Sequence, residues 1–263
     1  GAVQIFQFLA NLEQRHGFPA AARQVYRQAT RQHPKDALLW LQWARLEERQ
    51  GDAAAAADLY QRAIRAEPSN ADSYARLAAL LLRSTNADGI ALDIVGLGGG
   101  LAASANVRRG AILARQVFEL GVSRCSRELA NGPSGPGSIS GAGARRLSKL
   151  LHSWAVFEWK RGDIGQARAL FTRAVALAPK EQVAWVLQWH ARFEADCGSL
   201  TVARHLLARA VNADRFDGST WRFWAELEEA AGDRVLAQEL TRHAAMQDAT
   251  RTLLYRRNVQ SNG

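Results

Sequence analysis

A 34-residue period runs through the sequence and limits what the chain can fold into. In residues 39 to 68, LWLQWARLEERQGDAAAAADLYQRAIRAEP, the markers are Trp40, Trp43, Ala44, Leu46-Glu47, Gly51-Asp52, Tyr60 and Pro68. Moving the frame back by 34 residues lands on Phe6, Leu9, Ala10, Leu12-Glu13, Gly17, Tyr26 and Pro34. Periods of this size mean supersecondary units that bury their apolar faces by stacking on one another. A third copy starts at Tyr74, breaks off, and resumes as AILARQVFELG from Ala111 to Gly121. The fourth runs from Leu151 to Pro179 with Trp154, Phe157, Glu158, Gly162 and Phe171 in register, the fifth starts at Trp185 and carries about two extra residues early on, and the sixth starts at Trp221.

Each copy reads as two helices. Trp40, Trp43, Ala44 and Glu47 fall on one face at 3.6 residues per turn, and Ala56, Tyr60 and Ala63 do the same in the second half. Gly51 can end the first helix at positive φ, with Asp52 placed to cap the second. The expected architecture is all-α, a right-handed α-α superhelix of about six helical hairpins. Trp40, Trp43, Tyr60, Trp154, Phe171, Trp221 and Trp224 form its expected repeat core, as does Trp185, whereas Trp159 and Trp189 are expected to be more exposed.

The string W-x2-W-A-x-L-E-x3-G-D, followed by A-R, an aromatic, R-A and Pro, resembles the half-a-TPR (HAT) family, the RNA-processing relatives of the tetratricopeptide repeats. The resemblance covers roughly residues 2 to 83 and 147 to 245. It implies a scaffold without catalytic activity in its repeats. The partners it implies are single-stranded RNA, as in organellar factors that hold and protect messages, or RNA-processing proteins, as in splicing and 3′-end cleavage complexes. A chloroplast location is implied ahead of a nuclear one, with self-association or membership of a longer array as further expectations.

Two Gly/Ser-rich stretches depart from the repeat. The organisation expected is repeats 1 and 2 with the first helix of repeat 3 in 1–83, a flexible insertion in 84–110, and the second helix of repeat 3 in 111–121. A second flexible insertion in 122–146 then leads to repeats 4 to 6 and a C-terminal capping helix in 147–263. Arg108, Arg109, Arg145 and Arg146 would sit on these insertions as mobile arms.

Known chemical motifs are not matched. Gly96 and Gly98 fit two positions of G-x-G-x-x-G, but Leu101 stands at the third and no βαβ unit surrounds it. The six histidines form no H-E-x-x-H, and Cys125 and Cys197 are far apart, so neither a metal, a cofactor nor a disulfide is expected. No apolar run approaches the ~20 residues of a membrane span, and no membrane partner is expected. The balance of 34 Lys and Arg against 25 Asp and Glu, net +9, points to an anionic partner. A basic track of RNA-binding residues is expected on the free faces of the first helices: Asn11, Arg15, Arg45, Arg49, Arg83, Lys160 and Arg192. Glu13 with Arg23, Glu158 with Arg168 and Glu194 with Arg204 recur ten residues apart, and each pair is expected to bridge the two helices of one hairpin. Ala57 and Gln238 stand where that Arg is missing, which leaves Glu47 and Glu228 in need of other partners.

Overall fold

The computed structural model describes residues 2–83, 107–130 and 141–261, together with the side chains of 3–83, 110–130 and 141–253. Twelve helices are present among the described residues, taken in sequence as hairpin pairs. They are α1 (Ala2–Arg15), α2 (Pro19–Gln32), α3 (Ala37–Gln50), α4 (Ala53–Ala66), α5 (Ala71–Arg83) and α6 (Val107–Ala130). The second six are α7 (Gly141–Lys160), α8 (Ile164–Leu177), α9 (Lys180–Asp196), α10 (Leu200–Ala213), α11 (Gly218–Ala230) and α12 (Arg234–Ser261). The chain divides into two compact units, Gly1–Trp154 and Ala155–Gly263.

The local signals act as their chemistry requires. Gly51 adopts φ +85° and ends α3, and the same left-handed glycine recurs at Gly17, Gly162, Gly198 and Gly232. Asp52 caps α4 by accepting from the Ala55 amide at 2.9 Å. The turns between hairpins share a second device. Trp40 Nε1, Tyr74 Oη and Trp221 Nε1 each donate to the carbonyl six residues earlier, of Pro34, Pro68 and Arg215, at 2.8 to 3.0 Å.

The buried core of the first unit contains Ala10, Ala22, Tyr26, Leu46, Tyr60, Tyr74 and Leu77, and that of the second Phe171, Leu187, Phe193 and Leu207. Small alanines at fixed positions let helices approach, and the aromatics fill the space between hairpins. Tyr60, Phe171 and Trp154 are buried as expected, while Trp40, Trp43, Trp221 and Trp224 are half-buried in stacked pairs with centroids 6.1 Å apart. Trp185 is a correction, because it is exposed. Aligning α9 on Glu194 puts His190 at the place of Trp43 and Leu187 at that of Trp40, so the extra residues shift Trp185 to the exposed position of Leu38. Trp159 and Trp189 are half-buried, Trp159 meeting Phe193 edge-on at 5.8 Å.

The arginine and glutamate pairs hold successive hairpins together rather than the two helices of one hairpin. Arg23 reaches Glu47 of the next repeat through Nε and Nη2 at 2.9 and 2.7 Å, and not Glu13. Arg168 grips Glu194 in the same way at 2.7 and 2.8 Å, and Arg204 Nε grips Glu228 at 2.8 Å. Each glutamate is almost wholly buried, and Glu47 and Glu228 accept a second hydrogen bond from the residue four back. Trp43 Nε1 and Trp224 Nε1 donate at 2.9 Å, and His190 Nε2 lies 3.4 Å from Glu194. The Arg fork matches a carboxylate edge, which sets the register of one hairpin on the next. Glu47 and Glu228 are therefore the partners of Arg23 and Arg204. Glu158 is buried, 4.0 Å from Arg161. At the joint between the second and third copies the equivalents of Arg23, Trp43 and Glu47 are Ala57 on α4 and Leu77 and Leu81 on α5, all fully buried, so apolar side chains stand where the ionic joint would be.

The expected boundaries of the insertions are also corrected. Residues 107–110, 122–130 and 141–146 are helical, while 84–106 and 131–140 lie outside the described residues. α6 continues through Gly121 because the glycine lies directly under Tyr74 and Leu150, where a Cβ would meet their side chains at 2.8 and 2.9 Å. Cys125 is buried beyond it, its thiol pushed up to about 11 by that burial. Arg146 is no mobile arm. It donates to Ser69 at 2.7 Å and pairs with Glu67 at 2.8 Å and Glu128 at 3.3 Å, while Lys149 pairs with Asp72 at 2.9 Å.

Candidate functional site

In the first unit, α1, α2, α3 and α5 together enclose an open cleft of about 580 Å³, lined by Asn11, Tyr26, Gln42, Arg45, Glu48, Arg49, Arg76 and Arg83. The repeat places these side chains. Gln42, Arg45 and Arg49 stand at i, i+3 and i+7 on one face of α3. Adding the period carries Gln42 to Arg76 and Arg49 to Arg83 on α5, and Asn11 to Arg45. Neighbouring first helices thus offer the same surface positions, and here most of them are arginine.

Four arginines face one carboxylate in this cleft, a local excess of positive charge. Glu48 is committed to neighbours, accepting from Tyr60 Oη at 2.6 Å and pairing with Arg83. Arg49 donates to Gln14 and, through Nε, to the Arg45 carbonyl at 3.2 Å. Arg45 Nε and Gln42 Oε1 are buried without a hydrogen-bond partner, one a donor and the other an acceptor. Buried polar atoms left in this state are costly. Tyr26 forms part of the floor, its hydroxyl receiving Gln14 Nε2 at 3.2 Å, and burial raises its pKa. Burial and the neighbouring Glu48 raise that of Tyr60, so both phenols stay protonated.

Of the residues expected on the basic track, Asn11, Arg45, Arg49 and Arg83 come together here. Arg15 is exposed on the last turn of α1 and is not among the lining residues. Lys160 and Arg192 belong to the second unit, where both are exposed, Arg192 with its guanidinium 4.8 Å from the Phe223 ring centroid. Gln42, Glu48 and Arg76 were not expected as site residues. The signal that finds Gln42 and Arg76 is the period itself, since they are one repeat apart on the face already carrying Arg45 and Arg83, whereas Glu48 has Gln14 and Leu82 at its repeat positions.

Among the described residues no group of three or more His, Cys, Asp or Glu could hold a metal ion, Cys125 and Cys197 are free, and no helix is long and apolar enough to cross a membrane. The family model for the tetratricopeptide repeat matches residues 9–71 and, overlapping them, 41–89. This is the broader repeat class of which the half-a-TPR family is a branch, and the match does not extend to that branch. No curated protein matches the chain. Among solved structures, PilW, a widely conserved type IV pilus biogenesis factor, superposes with a TM-score of 0.54 at 16% identity, over 91% of this chain and 90% of that one. The Pseudomonas aeruginosa protein pilF gives 0.50 at 12% identity, over 91% of this chain and 88% of that one. At these identities the likeness is one of fold, an all-α arrangement of helical hairpins of tetratricopeptide-repeat type.

Proposed function

We propose that the chain is a non-catalytic interaction scaffold whose first unit binds an acidic segment of a partner protein in the arginine cleft. The observation that carries this reading is the convergence of Arg45, Arg49, Arg76 and Arg83, against the single carboxylate of Glu48, on one open cleft. An extended acidic peptide suits this cleft, because its carboxylates match planar guanidinium forks. Single-stranded RNA, the ligand implied by the half-a-TPR resemblance, would match the charge and use aromatic platforms for its bases. Tyr26 is the one aromatic residue lining this cleft, and it is 1% exposed, which favours the peptide.

The test is a fluorescence-polarisation titration of the chain with a labelled Asp/Glu-rich decapeptide and, separately, with a mixed-sequence single-stranded RNA, at several salt concentrations. The expected result is micromolar binding of the peptide, weakened about tenfold or more by the double change Arg45→Ala and Arg49→Ala. Tighter binding of the RNA, with a steep salt slope that the double change makes shallower by about 0.7 per lost contact, would overturn the peptide reading. Absence of peptide binding at low salt would do so as well.

A further inference from the structure

The first helix carries an unmatched copy of the joint that elsewhere links successive repeats. In α3 the joint consists of Leu39, Leu46 and Glu47, which are 0%, 2% and 5% exposed; Leu46 shares a core cluster with Ala22 and Tyr26 of the preceding hairpin, and Glu47 is held by Arg23. The equivalent positions in α1 are Ile5, Leu12 and Glu13. Ile5 is 63% exposed and Leu12 38%, and Phe8 and Leu9 between them complete an apolar stripe at i, i+3, i+4 and i+7. Glu13 makes no side-chain hydrogen bond or ion pair with the described residues, whereas Glu47, Glu194 and Glu228 each hold an arginine.

We infer that this face of α1 is a docking surface for an arginine-bearing amphipathic helix, the second helix of a hairpin of this chain's own repeat type. The occupant is defined by the three joints already formed. It presents a small residue, then an arginine, then an apolar or aromatic residue three positions further on, as Ala22-Arg23 with Tyr26 does in α2 and Ala167-Arg168 with Phe171 in α8. The apolar stripe receives the small and aromatic residues, and Glu13 receives the guanidinium. A second copy of the chain is a poorer fit. Its last helix has Gln238 at the arginine position, in a groove with Glu229, Arg234, Thr241 and Arg242, which would set a polar surface against the stripe. Two α1 faces meeting each other would offer Glu13 no arginine of the kind that Glu47, Glu194 and Glu228 hold, because the stripe itself carries none.

The test uses the whole chain and, as probe, a peptide copying Phe18–His33 cross-linked into a helix. Binding is followed by fluorescence polarisation and by amide hydrogen exchange. The peptide is expected to bind and to slow exchange in α1. Replacing its arginine, as in Arg23→Ala, or changing Glu13→Gln in the chain, is expected to weaken binding about tenfold. The double change Ile5→Asp and Leu12→Asp should abolish it while circular dichroism stays unchanged, since both side chains are exposed. The inference is overturned if the peptide fails to bind at concentrations up to about 1 mM. It is equally overturned if loss of the arginine leaves affinity unaltered, or if the chain sediments as a dimer that the Ile5 and Leu12 changes dissociate.

Discussion

At the scale of single residues, the joint between repeats is an arginine fork on a buried glutamate that an indole or imidazole contacts from four residues back. Its energetic role is easiest to see where the chain has replaced it, at Ala57, Leu77 and Leu81. Buried ion pairs are often no more stabilising than apolar contacts of similar volume, and they fix geometry. Arg23→Ala leaves the Glu47 carboxylate buried with only the Trp43 indole, and is expected to lower stability by about 1 to 2 kcal/mol, discounted because the guanidinium is 36% exposed. Adding Glu47→Leu should restore part of that loss, so urea unfolding of the double variant should show less than the sum of the two single effects. Strict additivity would contradict the joint. The same carboxylates govern acid stability. The hydrogen bonds from Arg23, Arg168 and Arg204 hold Glu47, Glu194 and Glu228 below the usual carboxylate range. Each is more acidic folded than unfolded, so its contribution is present above pH 4.5 and is lost as pH falls through the depressed folded value. His152 acts earlier, because burial lowers its pKa from 6.5 to about 4, and the unfolded chain takes up a proton that the folded chain refuses. Melting temperature is therefore expected to decline gently from pH 6.5 and steeply below about 4.5, with His152→Leu reducing the first part of the decline, to which His190, also lowered by burial, contributes.

At the scale of helices, two glycines make opposite predictions. Gly121 in α6 has no room for a Cβ beneath Tyr74 and Leu150, so Gly121→Ala should destabilise by about 1 to 3 kcal/mol despite its higher helix propensity. Gly165 in α8 has nothing within 4 Å of that position, and Gly165→Ala should stabilise by about 0.5 kcal/mol, both read from thermal unfolding. The same helices show how far the sequence was legible. The hairpins, their glycine turns and the aspartate caps followed from the period, because each signal is local and recurs. The far half of α6 did not. Its VSRCSRELA stretch offers only Val122, Cys125 and Leu129 at i, i+3 and i+7, a short signal beside a Gly/Ser-rich segment, and the contacts that hold it are remote: Cys125 against the Ser69 carbonyl and Arg146 against Glu67 and Glu128. Likewise, spacing identified the Arg and Glu of the joint but not which hairpin each would reach, since ten residues within a repeat and 24 between Arg23 and Glu47 both suit a helical pair. Trypsin is expected to spare Arg124, Arg127 and Arg146, and early cleavage there would contradict the helical boundaries found.

At the scale of the whole chain, two compact units of helical hairpins carry a net charge of +9, and four arginines of the first unit are gathered in one cleft. The charge was plain in the composition. Its convergence depended on which helix faces meet around the cleft, so Arg76 entered the site and Arg15 did not. Photo-crosslinking tests the proposed role of this cleft most directly, with a benzophenone-bearing acidic decapeptide as probe and adducts located by mass spectrometry. The account predicts adducts on α1, α3 and α5 around Asn11, Gln42 and Arg76, lost in the Arg45→Ala and Arg49→Ala variant and suppressed by excess unlabelled peptide. Adducts confined to the second unit or to the Arg27 and Arg31 face of α2, or displaced by single-stranded RNA at lower concentration than by peptide, would contradict it.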